Sequence, residues 1–214
     1  MKTPLSLSSL KQHLTYNWWK YILVALLSFG LVDLLYSVTA YRAPAEKRVE
    51  FYVYGLCNSD ALEAYMNRIH EDEMSDMEVL SFQQLTPDDA YGPMQLMTYL
   101  SAGEGDLYLL PRDEFVSYAA SGALVPLEGD RELISFYDEN SVSLQSGWRK
   151  ETDSGETHLF GIPQNKLPGL YQYAVAKDGF LCVIVTGGNI DNTVRFLRIL
   201  SRDMITAPEP LPEP

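Results

Sequence analysis

Val49-Glu50-Phe51-Tyr52-Val53-Tyr54-Gly55-Leu56-Cys57-Asn58-Ser59-Asp60 is the stretch on which the fold turns. Val49 to Tyr54 is dominated by β-branched and aromatic residues, a composition suited to a strand. Gly55 to Asp60 then turns the chain. Asn58 or Ser59 can cap a helix running from Asp60 to about His70, because a short side-chain oxygen satisfies an unpaired N–H of the first turn. The result is a unit of strand, loop and helix.

The unit recurs. Met77 to Phe82 reads as a second strand, followed by a turn at Pro87-Asp88-Asp89 and a helix from Ala90 through about Ser101. Gly103-Glu104-Gly105-Asp106 breaks that helix before Leu107-Tyr108-Leu109-Leu110, a third strand. Pro111 starts another helix, with Arg112-Asp113-Glu114 in its first turn, Phe115, Tyr118 and Ala119 on one face, and Gly122 at its end. Threefold alternation predicts an α/β domain with a mixed, mostly parallel sheet covered by helices.

Downstream, a short helix is expected around Arg131 to Tyr137, and the polar segment Asn140 to Glu156 reads as a surface excursion or hairpin. Leu159 to Ile162, Leu170 to Ala176 and Phe180 to Thr186 suggest antiparallel additions. The last two are separated by Lys177-Asp178-Gly179, a hairpin signal. Asp191 or Asn192 opens a final helix that turns Val194, Leu197, Ile199 and Leu200 inward and Arg195, Arg198 and Arg202 toward water. The tail from Pro208 to Pro214 is expected to be extended.

Upstream of the domain, Trp18 to Val38 reads WWKYILVALLSFGLVDLLYSV, and Asp33 is the sole charge between Tyr21 and Leu35. At 1.5 Å per residue, about 20 such residues cross a hydrocarbon core of roughly 30 Å. Lys2, Lys11 and Lys20 precede the segment and favour an inner N-terminus; Trp18, Trp19, Tyr21, Tyr36 and Tyr41 suit the two headgroup layers. An uncleaved anchor is the expectation, with a cleaved signal peptide ending near Val38-Thr39-Ala40 as its rival. Asp33 either sits at the outer interface or pairs with a partner helix. The expected division is a short cytoplasmic N-terminus (1–17), a transmembrane helix (18–38), a linker (39–47), an extracellular α/β domain (48–206) and a proline-rich tail (207–214). The protein is thus expected in the cell membrane as a single-pass chain.

Composition excludes several function classes. The chain has 214 residues and a formal net charge of -13, while Met1 to Ala43 carries four basic residues against one acid, so the domain itself is strongly acidic. Such a field repels nucleic-acid backbones. Cys57 and Cys182 form neither a framework nor a CxxC pair, and sequence leaves open whether they are buried singly or bridged. His13, His70 and His158 are dispersed, with no HExxH, serine elbow or P-loop, so no enzyme, metal or cofactor is expected. The acids Glu71, Asp72, Glu73, Asp76 and Glu78 read as a solvated face.

One ordered set of segments carries a family resemblance. Gly105 to Leu110 with Phe115, then Ala120-Ser121-Gly122-Ala123-Leu124-Val125-Pro126-Leu127, then Phe160-Gly161-Ile162-Pro163, and finally Phe180 to Thr186 with Phe196-Leu197-Arg198-Ile199-Leu200 follow one another in this chain. This order resembles the extracellular solute-binding proteins of ATP-driven importers, a family of type 2 periplasmic-binding-protein-like fold. The resemblance implies a noncatalytic role in transport. Members close two lobes around a solute, yet between Pro163 and Phe180 there is room for only one strand and a turn, so a single lobe is expected. A lone lobe offers fewer convergent groups, and a partner protein would supply the missing face.

In open α/β sheets the loops beyond the carboxyl ends of parallel strands form the ligand rim. That rule selects Gly55, Asn58, Ser59 and Asp60 after strand one, Gln83, Gln84 and Thr86 after strand two, and Pro111, Arg112 and Asp113 after strand three, joined by Gln164 and Asn165. Asn58 and Ser59 also read as plain helix caps, Arg112 as a solvated first-turn residue, and Tyr54 and Tyr108 as either sheet packing or rim stacking groups. The expected role is a membrane-tethered accessory or solute-binding component, partnered by a permease, a two-lobed solute-binding protein or another envelope protein. The alternative is a structural or regulatory interaction domain of the envelope that keeps only the fold.

Overall fold

Helix α1 (Leu7–Thr39) precedes everything else. In this computed structural model residues 7–39, 41, 43–87 and 91–206 are described, and the chain falls into two units, Met1–Arg42 and Ala43–Pro214. Within α1, Thr15–Thr39 is 25 residues long and contains 18 consecutive residues with a mean hydropathy of 2.1, enough by length and composition to cross a membrane. Ser28 and Thr39 return their hydroxyls to the carbonyls of Val24 and Leu35, so neither polar group needs an outside partner. The helix begins well before Trp18, inside the segment expected as a short N-terminus; the first six residues and the proline-rich tail lie outside the described residues.

The second unit is built on a five-stranded sheet. Strand β1 (Arg48–Tyr54) lies between β3 (Val79–Leu85) and β4 (Leu107–Leu110), parallel to both. Strand β9 (Phe180–Val183) runs antiparallel to β4, and β7 (Ile162–Pro163) antiparallel to β9, giving the order β3-β1-β4-β9-β7. The sheet is therefore mixed, parallel on one side and antiparallel on the other, rather than mostly parallel.

Side-chain alternation divides the core between its two faces. Val49, Phe51, Val53, Leu107, Leu109, Leu181 and Val183 pack with helix α2 (Ser59–Asp72) and helix α6 (Ile190–Met204). Tyr52, Tyr54, Tyr108, Leu110, Phe180 and Cys182 point the other way, onto helices α3 (Gly92–Ala102) and α4 (Arg112–Ala120). With both faces covered, β4 and β9 are buried along their whole length, which is why they read as short unbroken apolar runs.

Several boundaries depart from expectation. Strand β3 starts at Val79 and extends to Leu85, because Met77 is used in a turn, its N–H donating to Met74. The turn expected at 87–89 and the helix start at Ala90 fall largely outside the described residues; α3 begins at Gly92. Helix α5 (Arg131–Glu139) is capped by Asp130, and the polar excursion after it holds the hairpin of β5 (Trp148–Lys150) and β6 (Thr157–Leu159).

The expected hairpin at Lys177-Asp178-Gly179 does not form. Strand β9 has both edges occupied, by β4 and β7, so β8 (Ala174–Val175) pairs instead with β2 (Leu56–Cys57). Asp178 does adopt a left-handed turn conformation, at φ 48°, but it joins strands of two different sheets. Between Pro163 and Phe180 there are only short 3-10 turns and β8, so no second lobe is present among the described residues. Cys57, half-buried, and Cys182, buried, are both free.

Candidate functional site

Because β9 runs antiparallel to β4 and β7, its amino end meets their carboxyl ends at one corner of the sheet. A cavity of about 340 Å³ opens there, lined by Arg112, Arg149, Asn165, Tyr171, Asp178 and Phe180 among others. Pro111 sets the entry to α4 with φ near -57°, a value already helical, and Arg112 follows as the first residue of the helix. The Arg112 backbone N–H donates to Lys177 O at 3.2 Å, tying the start of α4 to the loop before β9.

Arg149 comes from β5. Its guanidinium lies 5.4 Å from the Phe115 ring centre and 5.8 Å from that of Phe180, while Nη1 donates to Trp148 O at 2.6 Å. The two rings are stacked on each other with centres 4.2 Å apart, and the guanidinium lies beside the pair, close enough to both for attraction to their π-systems. Burial, reinforced by the nearby charge of Arg112, pushes the Arg149 pKa below its ordinary value, although a guanidinium remains charged at neutral pH. Tyr171, on a 3-10 turn, is 46% exposed, and Asn165 is exposed on another.

Of the residues selected by the strand-end rule, this corner brings together Arg112 and Asn165. Gln164 is fully buried. Its Nε2 donates to Ala174 O at 2.6 Å, its Oε1 accepts from Ala176 N at 3.1 Å, and its backbone N–H donates to Gly179 O. A Cβ at Gly179 would come within 2.5 Å of that Oε1, so glycine is required there by close approach. Gln164 therefore supports the corner rather than offering a group to a ligand.

The remaining positions lie elsewhere. Asn58 caps α2, accepting from Ala61 N at 3.4 Å, and shares a shallow depression with Tyr171 and Tyr173; Ser59 and Asp60 are exposed in the first turn of α2. Gln83 and Gln84 lie within β3, paired with Tyr52 and Val53, not beyond its end, and Gln84 Nε2 donates to Gly55 O. Asp113 is exposed on α4 but does not line the cavity. Tyr54 and Tyr108 are buried in the sheet, so they are packing groups. Arg149, Tyr171 and Phe180 were not foreseen, since each reaches the corner through a tertiary contact that leaves no local sequence signal.

A larger groove of about 530 Å³ runs beside α5 and α6. Its arginines are occupied: Arg195 pairs with Asp76 at 2.9 Å, Arg202 with Glu73 at 2.6 Å, and Arg198 with Glu132. These side chains were expected simply to face water; they instead fasten α6 to α5 and to the loop after α2. Among the described residues no group of three His, Cys, Asp or Glu is placed to hold a metal.

No protein-family model matches the sequence, and a search of curated proteins finds no match. Among solved structures, the chain is similar to an extracellular solute-binding protein family 1 member from Alicyclobacillus acidocaldarius, with 20% identity and a TM-score of 0.42 over 54% of this chain and 27% of that one. It is also similar to an N-glycan transport solute binding protein from Streptococcus pneumoniae, with 18% identity and a TM-score of 0.33 over 54% of this chain and 24% of that one. This chain thus matches about a quarter of each of those longer proteins.

Proposed function

We propose that this chain is a membrane-tethered, noncatalytic binding component of the cell surface, whose recognition face is the corner formed by Arg112, Arg149, Asn165 and Tyr171. The observation that carries the reading is the cavity itself, concave, polar and placed beyond the carboxyl ends of β4 and β7. Thr15–Thr39 supports the tether, with the N-terminus inside and the α/β domain outside. The ordered segments from Gly105 to Leu200 favour an accessory or solute-binding role beside an importer's permease, or beside a two-lobed binding protein that completes the open face.

A second reading, an envelope interaction domain that keeps only the fold, draws support from α3. That helix carries no charged residue, and Tyr91 before it, Met94 and Met97 are 72%, 68% and 63% exposed. A photo-crosslinking amino acid placed in native membranes at Asn165 or at Met97 separates the two. The first reading expects crosslinked products from position 165 and few from position 97; products from position 97 alone would reject it.

A further inference from the structure

Arg112 and Arg149 differ from most of the described arginines. Arg48, Arg68, Arg195, Arg198 and Arg202 each have a carboxylate oxygen within 3.9 Å. Arg112 and Arg149 have no ion pair among the described residues, in a chain with 29 acids against 16 bases, with Asp113 and Glu114 next to Arg112 in sequence and Asp178 lining the same cavity. Arg131 also lacks one, but it lies outside the cavity that the other two share. Two cations lining one concavity repel each other, and in an acidic protein such a pair would readily be neutralised from within. The lack of a carboxylate partner at either marks a place kept for an outside negative charge.

Geometry narrows its form. An arginine offers five N–H donors, and Arg149 spends one on Trp148 O while its guanidinium lies beside the Phe115 and Phe180 rings. A fixed planar fork matches the paired oxygens of a carboxylate or phosphate. Asp178 lines the same cavity and the whole chain is acidic, so a polyanion is disfavoured while a single anionic group is admitted. Ser146 and Asn165 supply neutral hydrogen-bonding groups, and the exposed ring of Tyr171 a flat apolar surface, for the uncharged remainder.

We propose that this corner binds an oxyanion, a single carboxylate or phosphate group carried by an otherwise neutral polar molecule, with Arg112 and Arg149 gripping the charge. The inference rests on the corner being the recognition face. It is tested by calorimetry on the full chain in phosphatidylcholine nanodiscs, titrated with inorganic phosphate, glucuronate and glucose. Phosphate and glucuronate are expected to bind, with glucose at least about tenfold weaker, and the difference should shrink as salt rises. R112Q, an exposed change that spares packing, should weaken both anions by about tenfold or more, while R131Q should leave them unchanged.

Nanodiscs containing phosphatidylglycerol distinguish the source. Competition with soluble phosphate that disappears in R112Q identifies a lipid headgroup as the occupant; its absence identifies a free solute. Glucose bound as well as glucuronate, with R112Q without effect, would overturn the oxyanion inference while leaving crosslinking at position 165 to uphold the corner. Failure of both anions to bind at about 10 mM would also overturn it. Anion binding lost in R131Q but kept in R112Q would place the site elsewhere and remove the corner as well.

Discussion

Gln164 is the residue whose removal should be felt most widely around the site. Its buried side-chain amide serves Ala174 O and Ala176 N, so Q164A leaves a buried donor and acceptor unsatisfied and is expected to cost about 2–4 kcal/mol in urea unfolding. Asp106 gives a pH signature of its own. It is 6% exposed, accepts from Glu50 N at 2.9 Å, and burial pushes its pKa up to about 6. A carboxyl whose native pKa is raised binds its proton more tightly when folded, so its contribution is present at low pH and lost as pH climbs through about 6. Relative to the parent, D106N should gain up to about 3 kcal/mol between pH 4 and pH 7; an unchanged difference across that range would exclude this role. Asn58 was legible as a cap because capping depends on a neighbour three residues away, whereas the burial of Gln164 depends on a strand ten residues on that joins another sheet.

Among the elements, α6 shows how unequal its two faces are. Phe196 is fully buried and meets Phe51 edge-on with ring centres 6.2 Å apart, while Arg202 pairs with Glu73 at the surface. F196A should lower unfolding free energy by about 3–5 kcal/mol and R202A by less than about 1 kcal/mol, since an exposed pair is screened by water. Comparable losses from the two would mean that α6 is held by its charges. The alternation of strand and helix through Ala120 could be read from sequence because each element carries its own period and breakers. The partner of β8 could not, because that choice depended on β9 already having a neighbour on each edge. Asn189 was missed for a similar reason: it precedes α6 and donates to Glu46 O and Arg48 O, some 140 residues earlier in the chain.

For the whole molecule, an apolar N-terminal helix and a single mixed-sheet domain were both legible, the first from composition and the second from repeated units. The corner was only half legible. The strand-end rule found Arg112 and Asn165, but Arg149 and Tyr171 arrive from an excursion and a 3-10 turn whose docking no local pattern records. The proposed placement of this corner outside the cell, tethered by α1, is checked by labelling an N165C variant, in a C57S background, with a membrane-impermeant maleimide on intact cells. Full-length protein in the membrane fraction, labelled before lysis, is the predicted result. Labelling only after lysis, or recovery of the chain without its first forty residues or free of membrane, would contradict it.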